Sequence, residues 1–126
     1  MFLRQKLDVE AMIAAAPLFE GERDFVALAT KETRSTVRTV YLCRLEPTPD
    51  NSLNLHVAAN GFLRNMVRTI VGTLLHVGEG KIKVDEIESL LATKDRKQMG
   101  PKAVAHGLYF AEAGYEPWQA TNTEMN

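Results

Sequence analysis

Cysteine is nearly absent from these 126 residues: Cys43 stands alone. A single cysteine excludes an intrachain disulfide framework and a cysteine-cluster metal site, and it points to a reducing, cytoplasmic compartment. Charge of one sign is equally scarce, with 15 Lys+Arg against 16 Asp+Glu and a formal net charge of -1. Proteins that hold nucleic acid by bulk electrostatics are strongly basic, so any RNA contact here has to come from a local arginine cluster or from a partner segment. No apolar run approaches the roughly 18 residues that span a bilayer, and residues 1–10 lack the apolar core of a signal peptide, so no membrane association is expected. His56, His76 and His106 are scattered without ligand spacing, which argues against a metal site. No glycine-rich turn links a strand to a helix ahead of Lys-Ser/Thr, which removes a phosphate-cradling loop. No carboxylate follows an apolar strand into a loop with other polar groups, so the sequence shows no self-contained catalytic set.

What is present fits one globular domain with a modest core: 45% hydrophobic and 25% charged residues, too apolar for a disordered chain. Residues 8–16 read as a helix, with Asp8 as N-cap and Val9, Met12, Ile13 and Ala16 on one face. Residues 18–30 show no periodicity, with a helical turn expected around residues 24–27. Residues 36–46 read as a strand, Val37, Tyr41, Cys43 and Leu45 facing one way and Arg38, Val40, Leu42 and Arg44 the other. A turn over residues 47–52 joins it to a second strand over 53–60 in an antiparallel hairpin. Residues 62–77 carry the strongest helical pattern, with Phe62, Leu63, Met66, Val67, Ile70, Val71, Leu74 and Val77 on one arc and Asn65, Thr69 and His76 opposite. Gly78-Glu79-Gly80 ends that helix, and a shorter one follows over residues 85–92. Residues 107–115 read as a further strand. The expected class is α+β, a small antiparallel sheet of about three or four strands covered on one face by helices.

Arginine is the residue type with chemical promise. Arg34, Arg38 and Arg44 lie in or before the first strand, and Arg64 and Arg68 lie on the main helical pattern. A solvated face accounts equally well for Arg34, Arg44 and Arg64. Arg68 differs, because Val67, Ile70 and Val71 surround it. A guanidinium beside a core needs a carboxylate or a phosphate, since leaving its charge uncompensated costs several kcal/mol or about that order. That partner is expected from another segment or from an anionic ligand. Cys43, mid-strand on an apolar face, reads as a buried and unreactive thiol.

The segment Phe62-Leu63-Arg64-Asn65-Met66-Val67-Arg68-Thr69-Ile70-Val71-Gly72 resembles the helix signature of the tRNA pseudouridine synthase A family, in which Met-Val-Arg precedes Ile/Val-Val-Gly. Four more segments agree in order. Gly21-x-x-Asp24-Phe25 resembles the family's Gly-x-His-Asp-Phe, with Arg23 in place of histidine. Ser35-Thr36-Val37-Arg38-Thr39-Val40 resembles its strand opening, Lys94-Asp95-Arg96 with Gly100-Pro101 its connector, and His106-Gly107-Leu108-Tyr109-Phe110 its last strand. The resemblance runs from about residue 7 to residue 115.

The resemblance implies an isomerase that converts uridine to pseudouridine in tRNA, without metal or organic cofactor, on a target nucleotide turned out of its stack. Enzymes of this family have two similar α+β halves around an RNA cleft, and the nucleophilic aspartate sits in the N-terminal half within a Gly-Arg-Thr-Asp-like loop. No such loop occurs here. The chain therefore resembles the C-terminal half of a pseudouridine synthase fold, either an expressed fragment or a truncated product, and is expected to be inactive alone. Residues 1–6 would be a leading segment, 7–117 the C-terminal α+β domain and 118–126 a flexible tail. By the resemblance Arg68 is the catalytic candidate, pairing with the absent aspartate. Leu108 would pack on the flipped uracil with Val67 behind it, and Arg38 and Arg64 would touch the tRNA backbone. The implied partners are tRNA, the missing N-terminal half and a second subunit, the family being typically homodimeric. The alternative is a non-catalytic RNA-binding or protein-interaction module.

Overall fold

The computed structural model describes residues 7–29, 35–49, 53–100 and the strand backbone of 110–114. Helix α1 (Val9–Ala15) starts where the Asp8 carboxylate accepts the Ala11 amide at 3.1 Å, the N-cap its sequence announces. A 3₁₀ turn (Ala16–Phe19) follows, with Pro17 in its first turn, where a missing N–H costs nothing. Strand β1 (Gly21–Asp24) and a second 3₁₀ turn (Val26–Leu28) lead to β2 (Val37–Pro47) and β3 (Leu53–Ala59). Helices α2 (Met66–Gly78) and α3 (Ile87–Ala92) precede β4 (Phe110–Gly114).

The four strands form one sheet in the order β1-β2-β3-β4. The expected hairpin is there: β2 and β3 are antiparallel, with Cys43 opposite Val57 and Leu45 opposite Leu55. β1 adds antiparallel to the start of β2, while β4 runs parallel to β3. A parallel neighbour requires a crossover too long for a hairpin turn, and α2 and α3 supply it. The sheet is thus antiparallel over three strands and mixed at its last pair.

The core lies between the sheet and the helices, built from Met12, Phe19, Phe25, Leu28, Val40, Cys43, Leu53, Leu55, Val57, Met66, Ile70, Leu74 and Ile87 among others. Simple alternation along β2 fails at one place. The register shifts between Val40 and Leu42, so that Tyr41 is an extra residue opposite the Ala58–Ala59 step. This bulge carries both Val40 and Cys43 into the core, although strict period-two counting puts them on opposite faces. β3 is buried on both faces: Leu55 and Val57 join the core, while His56 and Ala58 are 6% and 0% exposed from the other side.

Helix α2 departs twice from its sequence pattern. It begins at Met66 rather than Phe62, because Asn65 adopts a left-handed conformation (φ 62°) that breaks the helix just before it starts. Asparagine tolerates this region better than most residues, so the strain is modest. The helix is also buried well beyond one arc. Thr69, expected on the solvent side, is 0% exposed, as is Thr73. α1 and the turn at Val26–Leu28 pack against α2, and the connector after α3 meets it at Gly72 and Thr73. The Thr69 hydroxyl is buried with no hydrogen-bond partner among the described residues. Replacing it by the isosteric valine removes an unsatisfied polar group, so Thr69→Val is expected to leave stability unchanged or raise it by about 1 kcal/mol, read from urea unfolding.

Candidate functional site

The signature segment folds into a sharp lead-in followed by a helix. Residues 62–65 run irregularly into the left-handed Asn65, whose carbonyl accepts the Thr69 amide at 2.9 Å as the first helical bond. Arg68 sits in the opening turn of α2, half-buried, with its Nη1 3.5 Å from Asn65 Oδ1. Val67, beside it, is 7% exposed and belongs to the core. Arg64 is exposed and lies on the lead-in, not on the helix as its spacing predicts.

Arg38 is brought to the same segment from β2. Its Nη1 donates to the carbonyls of Ser35 and Val37, both at 2.7 Å, which fixes the guanidinium at the start of the strand. That guanidinium lies over Gly61: a Cβ there would meet Arg38 Nε at 3.0 Å. Asn60, the preceding residue, is tied to the same strand through Thr39, its amide donating to the Thr39 carbonyl and its Oδ1 accepting the Thr39 amide. Three of the expected site residues, Arg64, Val67 and Arg68, therefore share the 61–68 stretch, and Arg38 is clamped against its first residue. Leu108 and Arg34 lie outside the described residues.

Asp24 has more to do than its place in a charged connector implies. Its Oδ1 accepts the Thr36 hydroxyl at 2.5 Å and the Val26 amide at 3.0 Å, and its Oδ2 is 3.7 Å from Lys94 Nζ. Three of the signature-like segments thus meet at one carboxylate. The Thr36 hydroxyl holds the Asp24 carboxyl below its usual range, with the Val26 amide and Lys94 adding to this and burial opposing it. A carboxylate whose pKa is lower folded than unfolded stabilises the fold above its unfolded value of about 4 and loses that contribution as pH falls through the folded value. Urea midpoints are expected to decline below about pH 4, and Asp24→Asn is expected to flatten part of that decline.

The remaining arginine and the cysteine have structural roles. Arg44 is 57% exposed and pairs with Glu20, Nε to Oε2 at 3.0 Å, and the same Oε2 accepts the Cys43 amide at 2.8 Å. Cys43 is fully buried, and burial together with the Glu20 charge pushes its thiol far up, so it is the inert thiol its sequence position indicates. At the other end of β2 from Arg38, a cavity of about 440 Å³ is lined by Ile13, Pro17, Leu42, Leu45 and the His56–Glu46 pair, whose Nε2 and Oε1 are 3.0 Å apart. None of those residues belongs to the signature-like segments. Among the described residues no group of three or more His, Cys, Asp or Glu could hold a metal, and no helix is long and apolar enough to cross a membrane.

Residues 15–116 match the tRNA pseudouridine synthase family. The chain belongs to that family. It is 50% identical over 116 residues to tRNA pseudouridine synthase A of Chloroflexus aurantiacus, covering 88% of this chain and 42% of the relative. The corresponding enzyme of Ruminiclostridium cellulolyticum is 43% identical over 115 residues, covering 90% of this chain and 47% of the relative. That of Thermus thermophilus is 41% identical over 118 residues, with 91% and 47% covered. The chain thus spans less than half the length of these curated relatives. Family membership accounts for the pattern above: the segments that meet at Asp24 and around α2 are the ones whose order matches the synthase signature.

Proposed function

We propose that this chain is the C-terminal half of a tRNA pseudouridine synthase, isomerising uridine to pseudouridine in tRNA once the N-terminal half supplies the nucleophilic aspartate. The observation that carries this reading is the fold of the signature segment, in which Asn65 turns the chain into α2 and sets Arg68 in its first turn. In the reaction the glycosidic C–N bond of uridine breaks, the base rotates, a bond forms from its C5 to the sugar, and the C5 proton leaves. Arg68 pairs with the aspartate and keeps it ionised and oriented. Leu108 packs on the flipped uracil, an apolar wall that excludes water without competing for its hydrogen bonds, and Val67 backs that wall from the core. Arg38 and Arg64 touch backbone phosphates, which position the tRNA rather than identify its sequence. The complete enzyme acts as a homodimer in the cytoplasm.

The test is release of tritium from unmodified tRNA labelled at uridine C5. The chain alone is expected to release none, and the chain combined with the N-terminal half of a relative is expected to release it. Release by the chain alone would show that it carries its own nucleophile. Tight tRNA binding with no release in either case would favour the non-catalytic RNA-binding module.

A further inference from the structure

Gly100 is held by side chains at both of its backbone polar groups. Its amide donates to the Thr73 hydroxyl at 3.0 Å in a fully buried bond, and its carbonyl accepts Arg96 Nη1 at 3.0 Å. Its Cα lies on the backbone of α2, so close that a Cβ would stand 2.6 Å from the Gly72 carbonyl oxygen and 2.7 Å from Thr73 Cα. The connector that delivers Gly100 is itself stiffened. Asp95 Oδ1 accepts the Lys97 amide at 3.0 Å, the Asp95 amide donates to Thr93 Oγ1 at 3.2 Å, and Met99 is 6% exposed. A threonine inside a helix commonly spends its hydroxyl on the helix's own carbonyls or on solvent. Here it takes a backbone amide 27 residues further along the chain.

We infer that Thr73 is a positioning residue for the isomerisation: its hydroxyl pins the connector at Gly100 to α2 and so fixes the register between the helix that carries Arg68 and the chain that leads on to Leu108. Thr73 touches neither base nor aspartate. It acts through the position of two groups that do, Arg68 lying five residues before it on the same helix and Leu108 eight residues after Gly100 in sequence. An arginine that orients a nucleophile and a leucine that walls the base work only at a set separation, and a displacement of about 1 Å can cost up to a hundredfold in rate. Buried amide-to-hydroxyl bonds are suited to this because an alternative register leaves the amide unsatisfied. The inference rests on the reading under Proposed function and adds to it a residue that touches no substrate.

The test uses the full-length enzyme containing this chain, with Thr73→Val and Thr73→Ser compared in the tritium-release assay. Thr73→Val keeps the volume and loses the acceptor. It is expected to lower kcat about tenfold or more while KM for tRNA stays within about twofold, and Thr73→Ser is expected to restore kcat to within about twofold of wild type. Hydrogen exchange at the Gly100 amide gives a second readout independent of turnover, with protection lost in Thr73→Val and kept in Thr73→Ser. A Thr73→Val enzyme with undiminished kcat overturns the inference, as does a Thr73→Ser enzyme as slow as Thr73→Val or an equally protected Gly100 amide in all three proteins. An inert full-length wild type overturns the proposed function and this inference with it, whereas an active wild type with an unaffected Thr73→Val overturns this inference alone.

Discussion

Arg68→Ala in the completed enzyme is expected to slow uridine isomerisation by about a hundred- to a thousandfold, the range seen when one preorganised electrostatic contact is removed from an active site. The affinity for tRNA should change by less than about tenfold, because most phosphate contacts are made elsewhere. Single-turnover tritium release separates the two effects. Arg68→Lys is expected to recover little of the loss. A lysine is a point charge on a flexible stem, and it cannot reproduce the planar fork that grips a carboxylate through two parallel bonds. The location supports the size of the effect: Arg68 is half-buried in the first turn of a helix whose next residues, Thr69 and Ile70, are fully buried. A guanidinium in such a place is held by rigid neighbours and interacts more strongly than one in open water.

The second large effect concerns stability. Gly100→Ala is expected to destabilise the chain by about 1–3 kcal/mol or more, measured from urea unfolding midpoints, because the new methyl meets backbone that cannot move aside. The obstructing atoms are the Gly72 carbonyl oxygen at 2.6 Å and Thr73 Cα at 2.7 Å, both in the middle of α2. Gly61→Ala is the instructive contrast. There the Cβ would meet Arg38 Nε at 3.0 Å, the far end of a flexible side chain. Its cost in stability is expected to stay within about 0.5 kcal/mol, while Arg38 is displaced from the strand opening and tRNA affinity falls. A Gly100→Ala protein as stable as wild type would show that the connector does not sit on α2 as closely as described.

Several elements were legible from residue patterns because local chemistry and tertiary packing agree there. Asp8 caps α1 as its residue type demands, the β2–β3 hairpin follows its alternation, and the glycines after Val77 end α2. Where packing overrides local pattern, reading the sequence goes astray. Gly21-Glu22-Arg23-Asp24 has no apolar alternation, yet it forms β1 because β2 offers it an edge. Phe62, Leu63 and Met66 continue a helical rhythm, yet Asn65 breaks it, and only its tolerance of positive φ hints at that. The bulge at Tyr41 shifts phase by one residue, which no count of alternation along a single strand can register. Thr69 and Thr73 look like a solvent face from periodicity alone, but α2 is packed on several sides.

The candidate site was legible only through its resemblance. Nothing in composition marks Arg68 above the other arginines except its apolar neighbours, and nothing in spacing brings Arg38 onto Gly61. The clustering of Asp24, Thr36 and Lys94 was not anticipated, since the three lie far apart in sequence and carry no shared periodicity. Residue order matching a family signature was the only signal that pointed to them. The structure adds that the first two of those segments and the connector are bound to one another through a single carboxylate.

A crystal structure of this chain joined to its N-terminal half tests the central claim most directly. The account predicts an aspartate carboxylate from that half within about 3 Å of the Arg68 guanidinium, in a geometry that allows two parallel hydrogen bonds. Arg68 turned away from the shared cleft, with another cation holding the aspartate, would contradict it.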